Sequence, residues 1–566
     1  MKLRFLVLFL SGVSLAACAH PPAPEKSAPP AAVTTPHPAL TEQVLYQVLL
    51  GEIAGQRGDL TLAAEAYTDL AFKTRDRRIA RRATEIVLLG RQPTQAKALV
   101  DLWLSLEPNA PRALQTLVSI LVGGNGHLAD AKPYIEVLLR QDAQRSGEVF
   151  ARLHTLLYRH KDKRAVLDLV TELAAAYPLL PEAKLAVAQA AWDAGQRSVG
   201  LRALDEALAL RPGWAAAALF RGQLLQADGD AVLIEYWEGF LAEHPRAGEV
   251  RSALARTQAR AGRLAAARSN FERLVADAPE NPEYEVAIGL LTLQIGDLDA
   301  ADRHFRQALD KGFRESGQVK LYLGQVEEAR KRDEAALRWY REIGGGDHYF
   351  VGQLRAARLL GRLDRLAEAR ELLAALVSDD PEQQVEIAQT EAQLLRDAHR
   401  HEAAFDSLSA ALARQPDAAA LLYDRAMVAE KLDRLAVLEA DLRRLIALQP
   451  NHAHAYNALG YTLADRTNRT GEAIELIGKA LTLAPEDPFI LDSMGWALFR
   501  ANRLDESVTF LRRAYANRAD PEIAAHLGEA LWAKGERTEA GRVWQGALAA
   551  HPDNEVLKET VSRLRP

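Results

Sequence analysis

The sequence predicts an all-α protein, a stack of about fifteen helical hairpins forming a solenoid. Two ladders of residues predict it. Prolines that close apolar helical segments stand at Pro108, Pro178, Pro212, Pro245, Pro279, Pro381, Pro416, Pro450, Pro485 and Pro552, at intervals close to multiples of 34 residues. A second ladder, an apolar residue followed by glycine, keeps the same period at Gly51, Gly289, Gly324, Gly460, Gly495 and Gly528. Twelve residues beyond these glycines come Ala63, Ala301, Ala336 and Ala540, and after a one-residue insertion Ala473. Sixteen beyond come Tyr67, Phe305, Tyr340, Leu511 and Trp544. Small residues where two helices meet let their backbones approach, and the large residue fills the gap to the next hairpin. Proline cannot continue a helix and ends it.

Composition sets the outer limits. The chain has 566 residues, is 48% hydrophobic and 26% charged, and carries a formal charge of −6. That balance is globular and offers no global positive field for nucleic acid. Aromatics at 6% also argue against a base-stacking surface. One cysteine excludes a disulfide framework and cysteine-rich metal sites.

Residues 1–17 come first: Lys2 and Arg4, then an apolar run from Phe5 to Ala17, too short to span a bilayer and shaped like an export signal. It ends in Leu15-Ala16-Ala17-Cys18, which resembles the bacterial lipobox. The resemblance implies cleavage before Cys18 and acylation of that cysteine. Ala19 is not the aspartate that retains many enterobacterial lipoproteins at the inner membrane, so the same resemblance implies an outer-membrane destination. No other segment reaches 18 consecutive apolar residues, which leaves the lipid as the membrane attachment. Residues 19–40 hold seven of the 25 prolines and read as a polyproline-like tether. At about 3.1 Å per residue it reaches up to roughly 70 Å.

From residue 41 to 566 the texture turns to Ala, Leu, Arg and Glu in helical period. The two ladders resemble the tetratricopeptide repeat, a helix–turn–helix unit of 34 residues whose units bury their apolar faces only by stacking. The match is strongest over 282–346 and 453–552. It is weakest over 109–177, where Gly123-Gly124-Asn125-Gly126 suggests a loop and no apolar–glycine pair occurs.

No motif for chemistry emerges. There is no P-loop and no nucleophile elbow. His401-Glu402 begins like a zinc-protease helix, but Phe405 stands where the second histidine belongs. His399 and His401 lie at a predicted inter-helix turn, and Gly344-Gly345-Gly346-Asp347-His348 falls where one hairpin ends, so both read as surface turns. No catalytic residue, metal site or cofactor is expected. The basic run Lys73, Arg75, Arg77, Arg78, Arg81 and Arg82 reads as a solvated turn with i,i+4 pairing, or as a face toward anionic lipid or an acidic partner.

The repeat resemblance also implies where a partner binds. In that family the first helix of each hairpin lines the concave groove, at offsets −6, −3, +1, +4 and +5 from the glycine. For the hairpins of Gly460, Gly495 and Gly528 this selects Asn457, Tyr461, Asp465, Asp492, Trp496, Phe499, Arg500, Glu529 and Trp532 as partner-binding candidates. Bulky rings there are either binding hot spots or packing against the adjacent repeat. Asn457 stands where chaperone-binding members carry lysine, so their function does not transfer.

Two stretches are more specific. One is 321–358, with Leu-Tyr-Leu-Gly-Gln and Arg-Trp-Tyr-Arg-Glu-Ile-Gly; the other is Tyr423 to Tyr515, with Asn-Ala-Leu-Gly-Tyr-Thr-Leu-Ala-Asp-Arg-Thr at 457–467 and Leu-Asp-Ser-Met-Gly-Trp at 491–496. With the lipobox they resemble large proteobacterial outer-membrane repeat lipoproteins. The best-understood type is the adaptor of a periplasmic carboxy-terminal processing protease. That resemblance implies a non-catalytic scaffold binding the protease and its cell-wall hydrolase substrates. A scaffold for envelope assembly, such as exopolysaccharide export or pilus and secretion machinery, is the alternative.

Overall fold

The computed structural model describes residues 41–123, 127–141 and 145–564. The signal segment, Cys18, the proline-rich tether and Gly124-Asn125-Gly126 lie outside the described residues. Within them the chain forms 31 α-helices and one short 3₁₀ turn, with no strand. Taken in consecutive pairs, the helices give fifteen hairpins and one closing helix, Glu555–Leu564. None of the described helices is long and apolar enough to cross a membrane. Contacts divide the chain into two compact units. One runs to Val232 and takes in Ala242–His244; the other comprises Leu233–Leu241 and the chain from Pro245 onward.

One register explains most hairpins. A small residue on the first helix defines position zero, and the second helix packs on it through positions +12, +16 and +19. At Gly289 these are Ala301, Phe305 and Ala308, all fully buried. A methyl group on Gly289 would fall 2.6 to 3.0 Å from the Phe305 ring, so only glycine admits the ring so close. Tyr67 covers Gly51 in the same way, and Ile477 covers Gly460 one position later, as the insertion requires. The large residue at +16 therefore does more than fill the gap to the next hairpin: it also covers the glycine of its own. Phe305 does both, stacking also on Tyr322 of the following hairpin at 5.3 Å.

The register continues where the glycine ladder breaks. Ala255, Ala357, Ala392 and Ala426 take position zero, and Ala267/Phe271/Leu274, Ala369/Leu373/Leu376, Ala404/Leu408/Ala411 and Leu438/Leu442/Leu445 are buried at the three partner positions. Position +7 is the turn between the two helices and is held left-handed. Glycine supplies it at Gly296 and Gly535, whereas Lys331, Asp364, His399, Asp433 and Asn502 adopt φ of 56° to 59° there. His399 thus belongs to the turn expected of it, between helices Pro381–Asp397 and His401–Arg414. Gly344–Gly346 likewise lies between helices Asp333–Arg341 and Tyr349–Arg362.

Most prolines of the first ladder sit in the link after a second helix, but Pro381 is the first residue of a helix. Its missing N–H costs nothing there, and Asp380 caps the turn by accepting from the Glu382 amide at 2.8 Å. Over 109–177 the helices run to 12 or 13 residues, and Ser146–Leu157 packs mainly on Pro181–Asp193, and less on Pro111–Val122 and Leu128–Arg140.

Ion pairs one repeat apart tie successive hairpins. Arg469 reaches Glu439 of the preceding hairpin at 2.8 Å while also pairing with Glu472 of its own at 2.7 Å, and Arg512 reaches Glu536 at 2.9 Å and Glu539 at 2.8 Å. The basic run is largely neutralised as well, mostly by local pairs and in one case across a repeat. Lys73 pairs with Asp69 at 2.6 Å, Arg78 with Asp76 at 2.8 Å, Arg81 with Glu85 at 3.0 Å and Arg82 with Glu52 at 2.8 Å.

Candidate partner-binding surface

The first helices of successive hairpins lie side by side: Ala453–Arg466 packs on Pro488–Arg500, which packs on Pro521–Lys534, which packs on Glu555–Leu564. Residues at the groove offsets therefore come together across repeats. Trp496 donates its indole N–H to Asp465 Oδ1 at 3.0 Å, and Arg500 bonds the Asp465 carbonyl oxygen at 2.8 Å. Asp492 holds His526 Nδ1 at 2.9 Å. The His526 ring stacks on Trp496 at 4.3 Å, and Phe499 stacks on Trp496 at 5.1 Å. Tyr461 closes the cluster 6.4 Å from His526.

These rings are committed to one another. Trp496 is only 9% exposed, and its faces are taken by His526 and Phe499. Burial pushes the Tyr461 hydroxyl up, reinforced by Asp465 and Asp492. Burial also pulls His526 down, but the Asp492 carboxylate, with Glu522 and Glu529, outweighs it, and the net shift is upward. The cluster joins a buried imidazole to a carboxylate, with a second carboxylate fixing the indole. Glu529 and Trp532 stand apart from it. Glu529 pairs with Arg563 at 2.8 Å, and Trp532 packs beside Trp544 at 5.8 Å with Arg537 over its face. Asn457 has a buried side-chain oxygen with no hydrogen-bond partner.

The open surface lies in earlier hairpins. A cleft of about 1110 Å³ is lined by helices Tyr349–Arg362 and Pro381–Asp397 and by Asp424. Taking Ala392 as position zero, the five groove offsets are Glu386, Gln389, Gln393, Arg396 and Asp397, and every one lines this cleft. Taking Ala357, three of the five are Arg358, Gly361 and Arg362, and they line it too. Position −2 adds Thr390 and Asp424, and in the aromatic cluster it supplies His526. Sequence reasoning missed these residues because it anchored on glycine, and alanine stands at position zero here. The spacing to Ala404, Leu408 and Ala411 was the signal that could have found them.

The cleft sets polar side chains beside the apolar Leu366, Leu394 and Ala398. Gln389 donates to Asp424 at 2.7 Å, Arg358 to Thr390 at 3.3 Å, and Gln393 to Asp397 at 2.6 Å. Glu382 and Arg400 line it and make no ion pair among the described residues. Guanidinium, carboxylate and carboxamide groups side by side offer donors and acceptors suited to a polar polypeptide segment. Among the described residues no three His, Cys, Asp or Glu side chains gather as a metal site would require.

This architecture, hairpins of a 34-residue register with their first helices lining a groove, is that of a helical-repeat interaction protein. The tetratricopeptide-repeat family matches residues 234–282, 286–347, 439–488 and 493–555. The chain is similar to TPR repeat-containing protein PA4667 of Pseudomonas aeruginosa, 32% identical over 529 residues that cover 93% of this chain and 89% of the relative. It belongs to the tetratricopeptide-repeat family. Small glutamine-rich tetratricopeptide repeat-containing protein 2 of Mycosarcoma maydis is 32% identical over 92 residues, 16% of this chain and 26% of that protein. Among solved structures, the APC/C Cut9–Hcn1 hetero-tetramer aligns over 93% of this chain and 97% of its own, at 14% identity and a TM-score of 0.35. The thermophilic TPR protein TTC0263 of Thermus thermophilus aligns over 33% of this chain and 98% of its own, at 20% identity and a TM-score of 0.29.

Proposed function

We propose that this protein is a non-catalytic scaffold of the outer membrane, anchored through a lipid on Cys18 and facing the periplasm. It holds a carboxy-terminal processing protease together with that protease's cell-wall hydrolase substrates. The observation that carries the scaffold reading is the run of groove-facing polar side chains in register around Ala357 and Ala392, open to a partner segment. The address rests on Leu15-Ala16-Ala17-Cys18, and the protease partner on the sequence resemblance over 321–358 and 423–515. Holding two partners on one array raises their effective concentration toward each other without any catalytic group of its own.

The test is affinity capture from envelope extract with the full chain, beside a variant carrying Gln389→Ala and Arg396→Glu in the cleft. The expected result is recovery of a serine protease and cell-wall hydrolases, with at least one class depleted in the variant. Deleting the gene raises hydrolase levels, and Cys18→Ser moves the protein out of the membrane fraction. Capture of an export channel or a secretin in place of a protease would instead favour envelope assembly.

A further inference from the structure

The two ends of the array are finished differently. Helix Glu555–Leu564, the last described, buries Leu557 and Thr560 and turns Glu555, Lys558, Glu559 and Arg563 outward beside a single large exposed apolar residue, Val556. Helix Glu42–Gln56, the first, does not follow that pattern. Gly51 and Ala54 are buried on the side that meets helix Leu60–Thr74. The outward side carries Leu45, Tyr46, Leu49 and Ile53, exposed by 47, 65, 51 and 48%. At 100° per residue these four fall within one arc of about 100°, a continuous apolar stripe along the helix. Repeat arrays need a polar outer face on their terminal units to remain soluble, so an apolar one calls for a cover.

We propose that the cover is a second copy of this chain, paired antiparallel along helix Glu42–Gln56 about a two-fold axis through Leu49. The pattern is nearly palindromic about that residue. Leu45 and Ile53 lie four residues to either side, so Leu45 meets the partner's Ile53 while Leu49 meets the partner's Leu49. The flanking charges obey the same symmetry. Glu42 opens the helix and Arg57 follows its end, both exposed and without an ion pair among the described residues. An antiparallel pair sets Glu42 beside the partner's Arg57 at both ends of the interface. A parallel pair would set like charges together. The interface is isologous and closes at two copies. One helix per subunit is a small contact, so the dimer dissociates on the order of micromolar.

The test uses the full chain carrying Cys18→Ser, which removes its only thiol, followed by sedimentation velocity over a concentration series. A reversible monomer–dimer equilibrium is expected. Leu49→Asp weakens it at least tenfold, and Glu42→Arg or Arg57→Glu alone weakens it, while the two together restore it. Leu49→Cys oxidises to a covalent dimer that thiol reductant releases, whereas Glu65→Cys, exposed on the neighbouring helix, does not. A chain that stays monomeric up to its solubility limit overturns the proposal, and so does a dimer indifferent to Leu49→Asp. Cross-linking of Leu49→Cys to a different envelope protein, or binding of the unlipidated chain to vesicles through this stripe, overturns it in favour of that occupant.

Discussion

At the scale of single residues, the tightest constraint is the contact between position zero and position +16. Gly289→Ala places a methyl group within 3.0 Å of the Phe305 ring, and that ring, fully buried and stacked on Tyr322, has nowhere to move. Overpacking of this kind costs about 1 to 3 kcal/mol. Hydrogen exchange should show lost protection in helices Pro282–Ile295 and Leu298–Asp310, and adding Phe305→Leu should recover part of it. His526 carries a different prediction. Burial lowers its pKa, but Asp492 first, then Glu522 and Glu529, raise it further, so the folded value lies above the ordinary 6.5. The stability it contributes is then complete below pH 6.5 and fades as pH rises through the folded value. Protection of helices Pro488–Arg500 and Pro521–Lys534 should therefore fall across that window, less steeply in Asp492→Asn and not at all in His526→Gln. His526 was invisible in the sequence because position −2 is not one of the repeat's groove offsets. Trp496 and Phe499 were legible as groove positions, but nothing in a one-dimensional pattern says that their faces are already filled by neighbours.

At the scale of the element, the helices and their order were legible because glycine, alanine and proline recur with the period of the packing they permit. What failed was the assumption that position zero must be glycine. At Gly289 a methyl group would meet the Phe305 ring, whereas alanine holds position zero opposite Phe271, Leu408 and Leu442. The ladder therefore vanished between Gly324 and Gly460, and the cleft vanished with it. The Pro381 exception has a similar cause, since proline is as welcome at the first turn of a helix as it is after the last. Ion pairs between elements were not legible, because surface Arg and Glu abound in the sequence and only the stacking selects which of them meet. The Arg469–Glu439–Glu472 cluster is the best-formed case, and the Arg469 hydrogen bond holds the Glu439 carboxyl down at about 2. Its groups are a quarter to nearly half exposed and screened by solvent, so Arg469→Ala should shift the denaturation midpoint only slightly. Because the Glu439 pKa is depressed, its contribution is present above 4.5 and is lost as pH falls toward 2. The mutant and wild type should converge in acid.

At the scale of the molecule, the consequence of repetition is that stability is local. Each hairpin touches its neighbours in the stack and little else, so the free energy of the array is close to a sum of hairpin and interface contributions. No single core ties the ends together: one large buried cluster spans Leu114 to Leu224 and another Ala388 to Leu498, with smaller ones elsewhere. A cavity in one stretch should then leave distant stretches untouched. Leu204→Ala removes a fully buried side chain at position +16 of the hairpin that starts at Pro181, a loss of about 2 to 5 kcal/mol. Hydrogen exchange should show faster opening in helices Pro181–Asp193 and Arg197–Leu210, with rates unchanged from Ala453 onward. Denaturation of the wild-type chain should resolve more than one transition, and Leu204→Ala should displace only one of them. A single transition that moves as a whole would mean that coupling between hairpins exceeds the stability of each. An array so rigid would present its groove as one fixed surface, whereas local opening allows single hairpins to adjust to a partner while the rest of the stack keeps its register.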